Sequence, residues 1–190
     1  MIKNIILDIG GIIFDDSKKN IEKVLNKNCE YTYKIAYGKG FKKCLLGERN
    51  VQEYLKSLKD EKDFEDIKYI LEKDNLRETY PLIKSNFEFI KKLKQEGYKI
   101  FVLTNITEDS YNYINSTINV NDVFDGGIYS YQEHLIKPNY DIYNLVINRF
   151  NLNKEETLFF DDKEKNVIAA NELGIKAFVF TSIMDIKNNL

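Results

Sequence analysis

Four groups of polar residues interrupt apolar stretches of the chain, each at a point where a β-strand is predicted to end. They are Asp8, Thr104-Asn105, Lys137-Pro138 and Asp161-Asp162. Ligands of an open α/β sheet bind outside the carboxyl ends of its strands, so we expect these groups to share one edge. Carboxylates, a hydroxyl group and a cation suit phosphoryl transfer, which needs a nucleophile, a divalent cation held by carboxylates, and positive charge around the phosphate oxygens.

Each group taken alone has an ordinary structural explanation. An Asp at a strand end is commonly a turn residue, Thr104 could cap a helix, and Lys137 could belong to a surface loop. Asp161 and Asp162 are more informative, because adjacent carboxylates repel each other unless a cation or a base offsets them. It is the coincidence of four groups at one predicted edge that indicates a phosphohydrolase site.

The pattern of apolar residues predicts the elements that position these groups. The run from Ile2 to Leu7 is typical of a central parallel strand buried on both faces. Pro81 suits the first turn of a helix that Gly97 ends, and Gly174 closes a later helix. Apolar residues between 83 and 93 mark the buried face of the first of these helices. Further strands are predicted at 100–103, 127–130, 157–160 and 176–180, and further helices at 139–150 and through 171. This alternation predicts a doubly wound, Rossmann-like parallel sheet with helices on its faces.

One long segment departs from this alternation. From Ser17 to Glu78 the apolar residues have helical spacing, and no strand is predicted. We therefore expect a small α-helical cap at residues 17–78, inserted into a core domain formed by residues 1–16 and 79–190.

In order and spacing, the four groups resemble the motifs of the haloacid dehalogenase-like phosphohydrolases. The closest likeness is to the bacterial sugar-phosphate phosphatases of the glucose-1-phosphate type, which have an Asp-x-Gly first motif and a small helical cap. The matching segments are Leu7-Asp8-Ile9-Gly10-Gly11-Ile12, Val102-Leu103-Thr104-Asn105, Lys137-Pro138, and Phe159-Phe160-Asp161-Asp162 followed by Asn166, Ala169 and Gly174.

The resemblance implies a magnesium site. Asp8 would be both the nucleophile, forming an aspartyl-phosphate, and a ligand of Mg²⁺. The carbonyl oxygen of Gly10 and the carboxylates of Asp161 and Asp162 would complete the protein ligands.

The resemblance also implies a phosphate site. Thr104, with Asn105 beside it, belongs to the catalytic set and would hydrogen-bond a phosphate oxygen, helped by backbone N–H groups after Asp8 and Thr104. Lys137 would neutralise charge on Asp8 and on the phosphoryl group. The expected partner is a small phosphorylated substrate, with a sugar phosphate as the expected class.

Gly10 departs from the family pattern. Most members carry a second Asp two residues after the nucleophile, which protonates the leaving oxygen and then activates water. General acid–base catalysis contributes roughly a hundred- to ten-thousandfold in rate, so its loss would matter without abolishing the chemistry. Asp15 and Asp16 are the nearest alternative acids, and we expect both to enter the hinge of the cap.

Composition excludes several other classes. Lys and Arg number 28 against 30 Asp and Glu, with the signs interspersed, so we expect no nucleic-acid partner. No segment approaches the ~20 apolar residues needed to span a bilayer, and we expect a cytoplasmic protein without a membrane partner. Cys29, Cys44 and the single His134 are too few for a disulfide framework or a thiolate and imidazole zinc site, so oxygen must hold any metal.

Four other functions compete with that of a phosphatase. A phosphomutase of the same fold needs a proton donor and acceptor, which Gly10 disfavours. A haloacid dehalogenase works without magnesium, whereas the pair Asp161-Asp162 favours a metal. A two-component receiver domain has its paired acids at the first strand, the reverse of the order here. A non-catalytic binding protein that lost its acid–base group is the fourth alternative.

Overall fold

Five apolar segments rich in β-branched and aromatic residues form one parallel sheet. The computed structural model comprises all 190 residues. The strands lie in the order β3-β2-β1-β4-β5 and every neighbouring pair is parallel. Their bounds are β1 (Asn4–Leu7), β2 (Lys99–Thr104), β3 (Gly126–Tyr129), β4 (Thr157–Asp161) and β5 (Lys176–Val179). The predicted doubly wound α/β fold is confirmed.

The central strand β1 is buried on both faces, as its uninterrupted apolar sequence predicts. Ile5 and Leu7 belong to one hydrophobic cluster, whereas Ile6 belongs to the cluster on the opposite face of the sheet. The chain runs from β1 outward to β2 and β3, and then crosses to β4 and β5 on the other side. This reversal lies between β1 and β4, and the crevice at such a reversal is where ligands bind in doubly wound folds.

Thirteen α-helices surround or extend this sheet, and none of them is both long enough and apolar enough to traverse a bilayer. Three short 3-10 helices also occur, at Lys39–Phe41, Lys73–Asn75 and Lys154–Glu156. The helices before the second strand are α1 (Lys18–Leu25), α2 (Glu30–Ala36), α3 (Lys42–Leu45), α4 (Val51–Ser57), α5 (Phe64–Leu71), α6 (Leu76–Thr79) and α7 (Lys84–Gln95). Those after it are α8 (Glu108–Ile118), α9 (Val120–Val123), α10 (Ser130–Glu133), α11 (Tyr140–Arg149), α12 (Glu164–Glu172) and α13 (Ile183–Lys187).

Helices α1 to α6 form a helical segment without a strand. Eleven of its buried residues, from Ile21 to Leu71, make a hydrophobic cluster separate from the two clusters of the sheet. Ser17 caps the first helix, because its hydroxyl accepts the N–H of Asn20 at 3.2 Å. The exact division of the chain at residues 17 and 78 stays a prediction.

Most bounds fall within one residue of those predicted, but two elements begin two or more residues later than predicted. Strand β1 begins at Asn4 rather than Ile2, and α7 begins at Lys84, so the placement of Pro81 in a first helical turn is wrong. Pro81 lies before the helix, where its carbonyl accepts the N–H of Asp15 at 2.9 Å. Gly97 ends α7 as predicted, since its φ of 99° is one that glycine adopts without steric cost.

Candidate active site

The turn after β1 presents Asp8 at the carboxyl edge of the sheet. Its side chain is almost fully buried, and its Oδ1 accepts the backbone N–H of Ile9 at 2.7 Å. Gly11 follows with a φ of 71°, a left-handed conformation that allows the chain to turn back immediately. The strand thus delivers the carboxylate, and the turn keeps the following chain close to it.

Lys137 joins the ends of three strands. Its buried Nζ lies 3.0 Å from Oδ2 of Asp8 and 2.5 Å from Oδ2 of Asp161, and it donates to the carbonyl of Leu103 at 2.7 Å. An ammonium group has three protons, so these contacts use all of its donors. Lys137 therefore ties β1, β2 and β4 together at the point where their carboxylates meet.

Asn105 holds the backbone of Lys137 in place. The side-chain Oδ1 of Asn105 accepts the N–H of Lys137 at 2.8 Å, and its Nδ2 donates to the carbonyl of Lys137 at 3.0 Å. The sequence predicts Asn105 as a catalytic residue but does not predict these hydrogen bonds to Lys137. In the structure, its two hydrogen bonds position the lysine.

The end of β4 supplies two carboxylates with different surroundings. Both oxygens of Asp161 accept hydrogen bonds from Nδ2 of Asn166, and Oδ1 also accepts the N–H of Lys163 at 2.8 Å. In Asp162, by contrast, Oδ1 is buried without any hydrogen-bond partner, and the nearest cation, Nζ of Lys163, is 3.8 Å away. Asp161 is thus satisfied by the protein, whereas Asp162 is not.

These carboxylates form a cluster that fits a hard divalent cation. One oxygen from each of Asp8, Asp161 and Asp162 lies within 4.8 Å of the others. Leaving a buried charged oxygen unsatisfied costs several kcal/mol, so the unpartnered Oδ1 of Asp162 indicates a missing positive group. The carbonyl oxygen of Gly10 accepts no hydrogen bond within the protein either. Gly10 and Asp162 therefore have oxygens without a partner in the protein, and Asp8 and Asp161 add negative charge beside them.

Burial and neighbouring charges set the pKa values of the cluster. Burial raises the pKa of Asp8, but the charges of Lys137 and Lys163, together with the nearby hydroxyl of Thr104, outweigh it and lower the pKa below the usual value. Asp8 is therefore ionised at neutral pH, as a nucleophile must be. Burial raises the pKa of Asp162 to about 6, aided by the charge of Asp8 and opposed by Lys163. A cation beside Asp162 would favour its ionised form.

Thr104 ends β2 facing this cluster. It is buried, and its hydroxyl lies close enough to Asp8 to help lower the pKa of that carboxyl. Two residues later, the N–H of Ile106 donates to Oγ of Ser130 at 2.8 Å, and this hydroxyl donates to the carbonyl of Leu45 at 2.6 Å. Ser130, predicted as the last residue of a strand, instead begins α10, and its hydroxyl links the sheet edge to the helical segment.

A cavity of about 360 Å³ lies between the helical segment and this edge of the sheet. Its core-side lining includes Asp16, Asn105 and Lys163, and its helical side is largely aromatic. The aromatic residues are Tyr33, Tyr37, Phe41 and Tyr80. Tyr37 packs against Tyr33 and Phe41 with ring centroids 4.8 and 5.3 Å apart, so these rings both pack the helices and face the cavity.

Of four other polar residues, one lies at the site and three do not. Asp16, which the sequence placed in the hinge, has its carboxylate against Gly10. Nδ1 of His134 lies 2.7 Å from the carbonyl oxygen of Leu46 on the surface, so it has no place among the carboxylates. Cys29 and Cys44 are buried free thiols in the helical segment, away from the carboxylates.

Comparison with known proteins gives the following relatives. The family model for haloacid dehalogenase-like hydrolases matches residues 5–180. Sesquiterpene phosphatase astK of Aspergillus oryzae is 33% identical over 86 residues, which are 45% of this chain and 44% of that protein. The match therefore spans less than half of that relative's length.

Two solved structures have the same fold. A HAD family enzyme from Bacteroides thetaiotaomicron, in complex with magnesium and inorganic phosphate, has a TM-score of 0.71 at 22% identity over 94% of each chain. A HAD-like family hydrolase from Porphyromonas gingivalis has a TM-score of 0.73 at 24% identity, covering 100% of this chain and 98% of that one. The family model covers most of the chain, its fold is that of these structures, and the protein belongs to the haloacid dehalogenase-like hydrolases.

Proposed function

We propose that this protein is a magnesium-dependent phosphatase that hydrolyses a small phosphomonoester through an aspartyl-phosphate on Asp8. The observation that carries the proposal is the buried Asp8 carboxylate, paired with Lys137 and adjacent to the unpartnered oxygen of Asp162. A nucleophile, a fixed cation and an incomplete oxygen cluster are the parts that phosphoryl transfer requires.

The oxygens proposed to hold Mg²⁺ are those of Asp8, Gly10 and Asp162, with Asp161 as the third carboxylate of the predicted set. When bound, Mg²⁺ would neutralise charge on the phosphate oxygens and orient the phosphoryl group towards Asp8. The magnesium found in the Bacteroides thetaiotaomicron structure supports this choice of metal.

The other steps of the proposed reaction are assigned to residues of the chain. A carboxylate oxygen of Asp8 attacks phosphorus and forms the aspartyl-phosphate, which water then hydrolyses. Lys137 balances the negative charge that gathers on Asp8 and the phosphoryl group, and the hydroxyl of Thr104 donates to a phosphate oxygen. The N–H groups of Gly10 and Asn105 form no hydrogen bond within the protein, which leaves them available as further donors.

The cavity limits the leaving group that such a substrate can carry. Its volume of about 360 Å³ suits a compact molecule, in line with the expected sugar phosphate. The aromatic wall of Tyr33, Tyr37 and Phe41 also favours a second candidate class, the phosphates of short isoprenoid or aryl alcohols. The sesquiterpene phosphatase relative supports this second class.

The experiment is phosphate release by the purified protein from a panel of sugar, isoprenyl and aryl monophosphates with Mg²⁺. Asp8→Asn should abolish turnover on every substrate while leaving the circular dichroism spectrum unchanged, because an amide cannot form the phospho-enzyme. The matched control is Asp15→Asn, an acid of the same turn outside the cluster.

Three results would contradict the proposal. Turnover of Asp8→Asn within tenfold of the wild type would mean that Asp8 is not the nucleophile. Halide release from a haloacid in the presence of chelator would indicate a dehalogenase. Binding of phosphate esters without any release of phosphate would indicate a non-catalytic binding protein.

A further inference from the structure

We propose that Asp16 is the acid–base residue of this site, occupying the space that a side chain on Gly10 would otherwise fill. The inference rests on the proposed phosphatase function and concerns the proton that this chemistry needs. Sequence comparison alone leaves that proton without a donor, because the position two residues after Asp8 is glycine.

The turn after Asp8 brings Asp16 back to Gly10. The N–H of Gly11 donates to the carbonyl of Phe14 at 2.8 Å, and the N–H of Phe14 donates to the carbonyl of Ile9 at 3.1 Å. These bonds pair Gly10 with Phe14 in a single bridge. Asp16 therefore lies next to Gly10 in space although six positions separate them along the chain.

The returning segment is held from two sides. Phe14 pairs with Leu82 in an antiparallel bridge, and the N–H of Ile83 donates to the carbonyl of Ile13 at 2.8 Å. From the helical segment, the hydroxyl of Tyr33 donates to the carbonyl of Asp16 at 3.0 Å. The position of Asp16 is thus fixed by both the core and the helices over it.

The carboxylate of Asp16 stands where an acid at position 10 would begin. A Cβ built on Gly10 would lie 2.7 Å from Oδ2 of Asp16 and 3.2 Å from its Cγ. Side-chain atoms do not approach this closely, so a side chain on residue 10 and the present carboxylate exclude each other. The φ of Gly10 lies outside the left-handed region, unlike that of Gly11, so it is space rather than backbone strain that favours glycine here.

The contacts of the two adjacent acids select Asp16 over Asp15. Oδ1 of Asp15 accepts the N–H of Ser17 at 3.0 Å, which commits it to the start of α1. The carboxylate of Asp16 forms no ion pair and no hydrogen bond with another residue, and it lines the 360 Å³ cavity. A carboxyl without a partner, on the wall of the cavity and close enough to Asp8 to be influenced by its charge, is positioned to exchange a proton with a leaving group held there.

Both half-reactions balance with Asp16 in this role. In the first, Asp8 bonds to phosphorus, the bond from phosphorus to the leaving oxygen breaks, and that oxygen takes its electron pair and the proton of Asp16. In the second, the Asp16 carboxylate takes a proton from water as the water oxygen bonds to phosphorus. The bond to Asp8 then breaks, its electron pair returns to the Asp8 carboxylate, and inorganic phosphate is released.

The test compares wild type, Asp16→Asn and the control Asp15→Asn on phosphate esters of graded leaving-group pKa. We expect a shallow dependence of rate on leaving-group pKa in the wild type and in Asp15→Asn. In Asp16→Asn, the rate of phosphoryl transfer from alkyl phosphates to Asp8 should fall by roughly a hundred- to ten-thousandfold. The same rate for dinitrophenyl phosphate should fall far less, because its leaving group needs no proton. A wild type that is already steep, or an Asp16→Asn slope equal to it, would overturn the proposal.

A second measurement follows the phospho-enzyme directly. Without a base to activate water, Asp16→Asn should accumulate the aspartyl-phosphate and give a burst of dinitrophenol close to one per enzyme. Asp8→Asn should give no burst at all, which separates failure of the acid–base assignment from failure of the phosphatase function itself. If wild type and all variants release no phosphate from any ester, both proposals are refuted together.

Moving the acid from position 16 to position 10 provides the most direct test. Gly10→Asp combined with Asp16→Ala moves the acid to the other side of the same space, and it should restore the shallow dependence and remove the burst. Recovery in the double variant also shows that Asp16→Asn is not simply misfolded. A correctly folded double variant as impaired as Asp16→Asn would overturn the interpretation that the two positions share one space.

Discussion

Replacing Lys137 with Met should destabilise the fold far more than removing any other lysine near the site. Lys137 is buried between Asp8 and Asp161 at 3.0 and 2.5 Å, so its loss leaves two carboxylates without their shared cation. Breaking a buried ion pair by removing one partner costs about 3–5 kcal/mol. In a chain of this size each kcal/mol lowers the melting temperature by about 2–4 °C, so we expect a fall of roughly 6–20 °C.

The loss should depend on pH in a direction that the cluster dictates. In the wild type the pKa of Asp8 is held low by Lys137, so this ion pair stabilises the fold above the unfolded pKa and is lost as pH falls through the folded one. In Lys137→Met the buried carboxylates take up protons at higher pH, which relieves the unpaired charge. The difference in stability between the two proteins should therefore be largest near pH 7.5 and shrink towards pH 4.

The assay is thermal and urea unfolding of both proteins at pH 7.5, 5 and 4, in chelator. Lys163→Met is the matched control, because its side chain is 49% exposed and 3.8 Å from Asp162. Such an exposed pair is worth at most about 1 kcal/mol. Adding Asp8→Asn to Lys137→Met should recover part of the stability, since it removes one of the unpaired charges. Equal losses for the two lysines, or a loss that does not vary with pH, would refute the reasoning.

Three further predictions concern the turn, the metal and the helical segment. Gly11→Ala should lower stability by more than about 1 kcal/mol in urea unfolding, because Gly11 has a φ of 71° and a Cβ there would lie 2.8 Å from Cγ of Asp162. The rise in melting temperature caused by Mg²⁺ should be larger at pH 7.5 than at pH 5. Below the Asp162 pKa of about 6, each cation must displace a proton, which weakens binding of Mg²⁺ by about tenfold per pH unit. An equal rise at the two pH values would contradict this. Exchanging Ser17 to Glu78 for the corresponding segment of a relative should change substrate preference and preserve slow hydrolysis of an aryl phosphate, and unchanged preference would contradict a substrate site under the helices.

The sequence was sufficient to predict the sheet and the edge where the polar residues gather. An apolar run such as Ile5 to Leu7 has few alternatives to a buried parallel strand, and the carboxyl ends of parallel strands share one edge. The residue that ends each run, such as Asp8 or Asp161, therefore has a position that local patterns determine. The spacing of the apolar residues and the turn residues that end each run were enough to predict which segments are strands.

The remaining features depend on contacts between distant parts of the chain. The hydrogen bonds of Asn105 to Lys137 and of Ser130 to Leu45 join elements that no local pattern brings together. Asp16 was predicted to lie in a hinge because helical spacing begins just after it, and nothing in that spacing shows that the chain has returned to position 10. The two consecutive glycines after Asp8 were the available signal of a tight return.

The charges at this edge of the sheet explain why the carboxylates, the two lysines and the proposed metal site occur together. Asp8, Asp16, Asp161 and Asp162 act on one another and on Lys163, and Lys137 pairs with two of them. With Asp16 protonated, as its role as an acid requires, three carboxylates face two ammonium groups, so the cluster has one uncompensated negative charge. Burial is the main cause of the raised pKa of Asp162, and this negative charge adds to it. A divalent cation at its unpartnered oxygen would more than offset the excess and leave the site positive. A dianionic phosphate ester approaching before the cation would instead be repelled, so the charge balance favours metal binding first and substrate second.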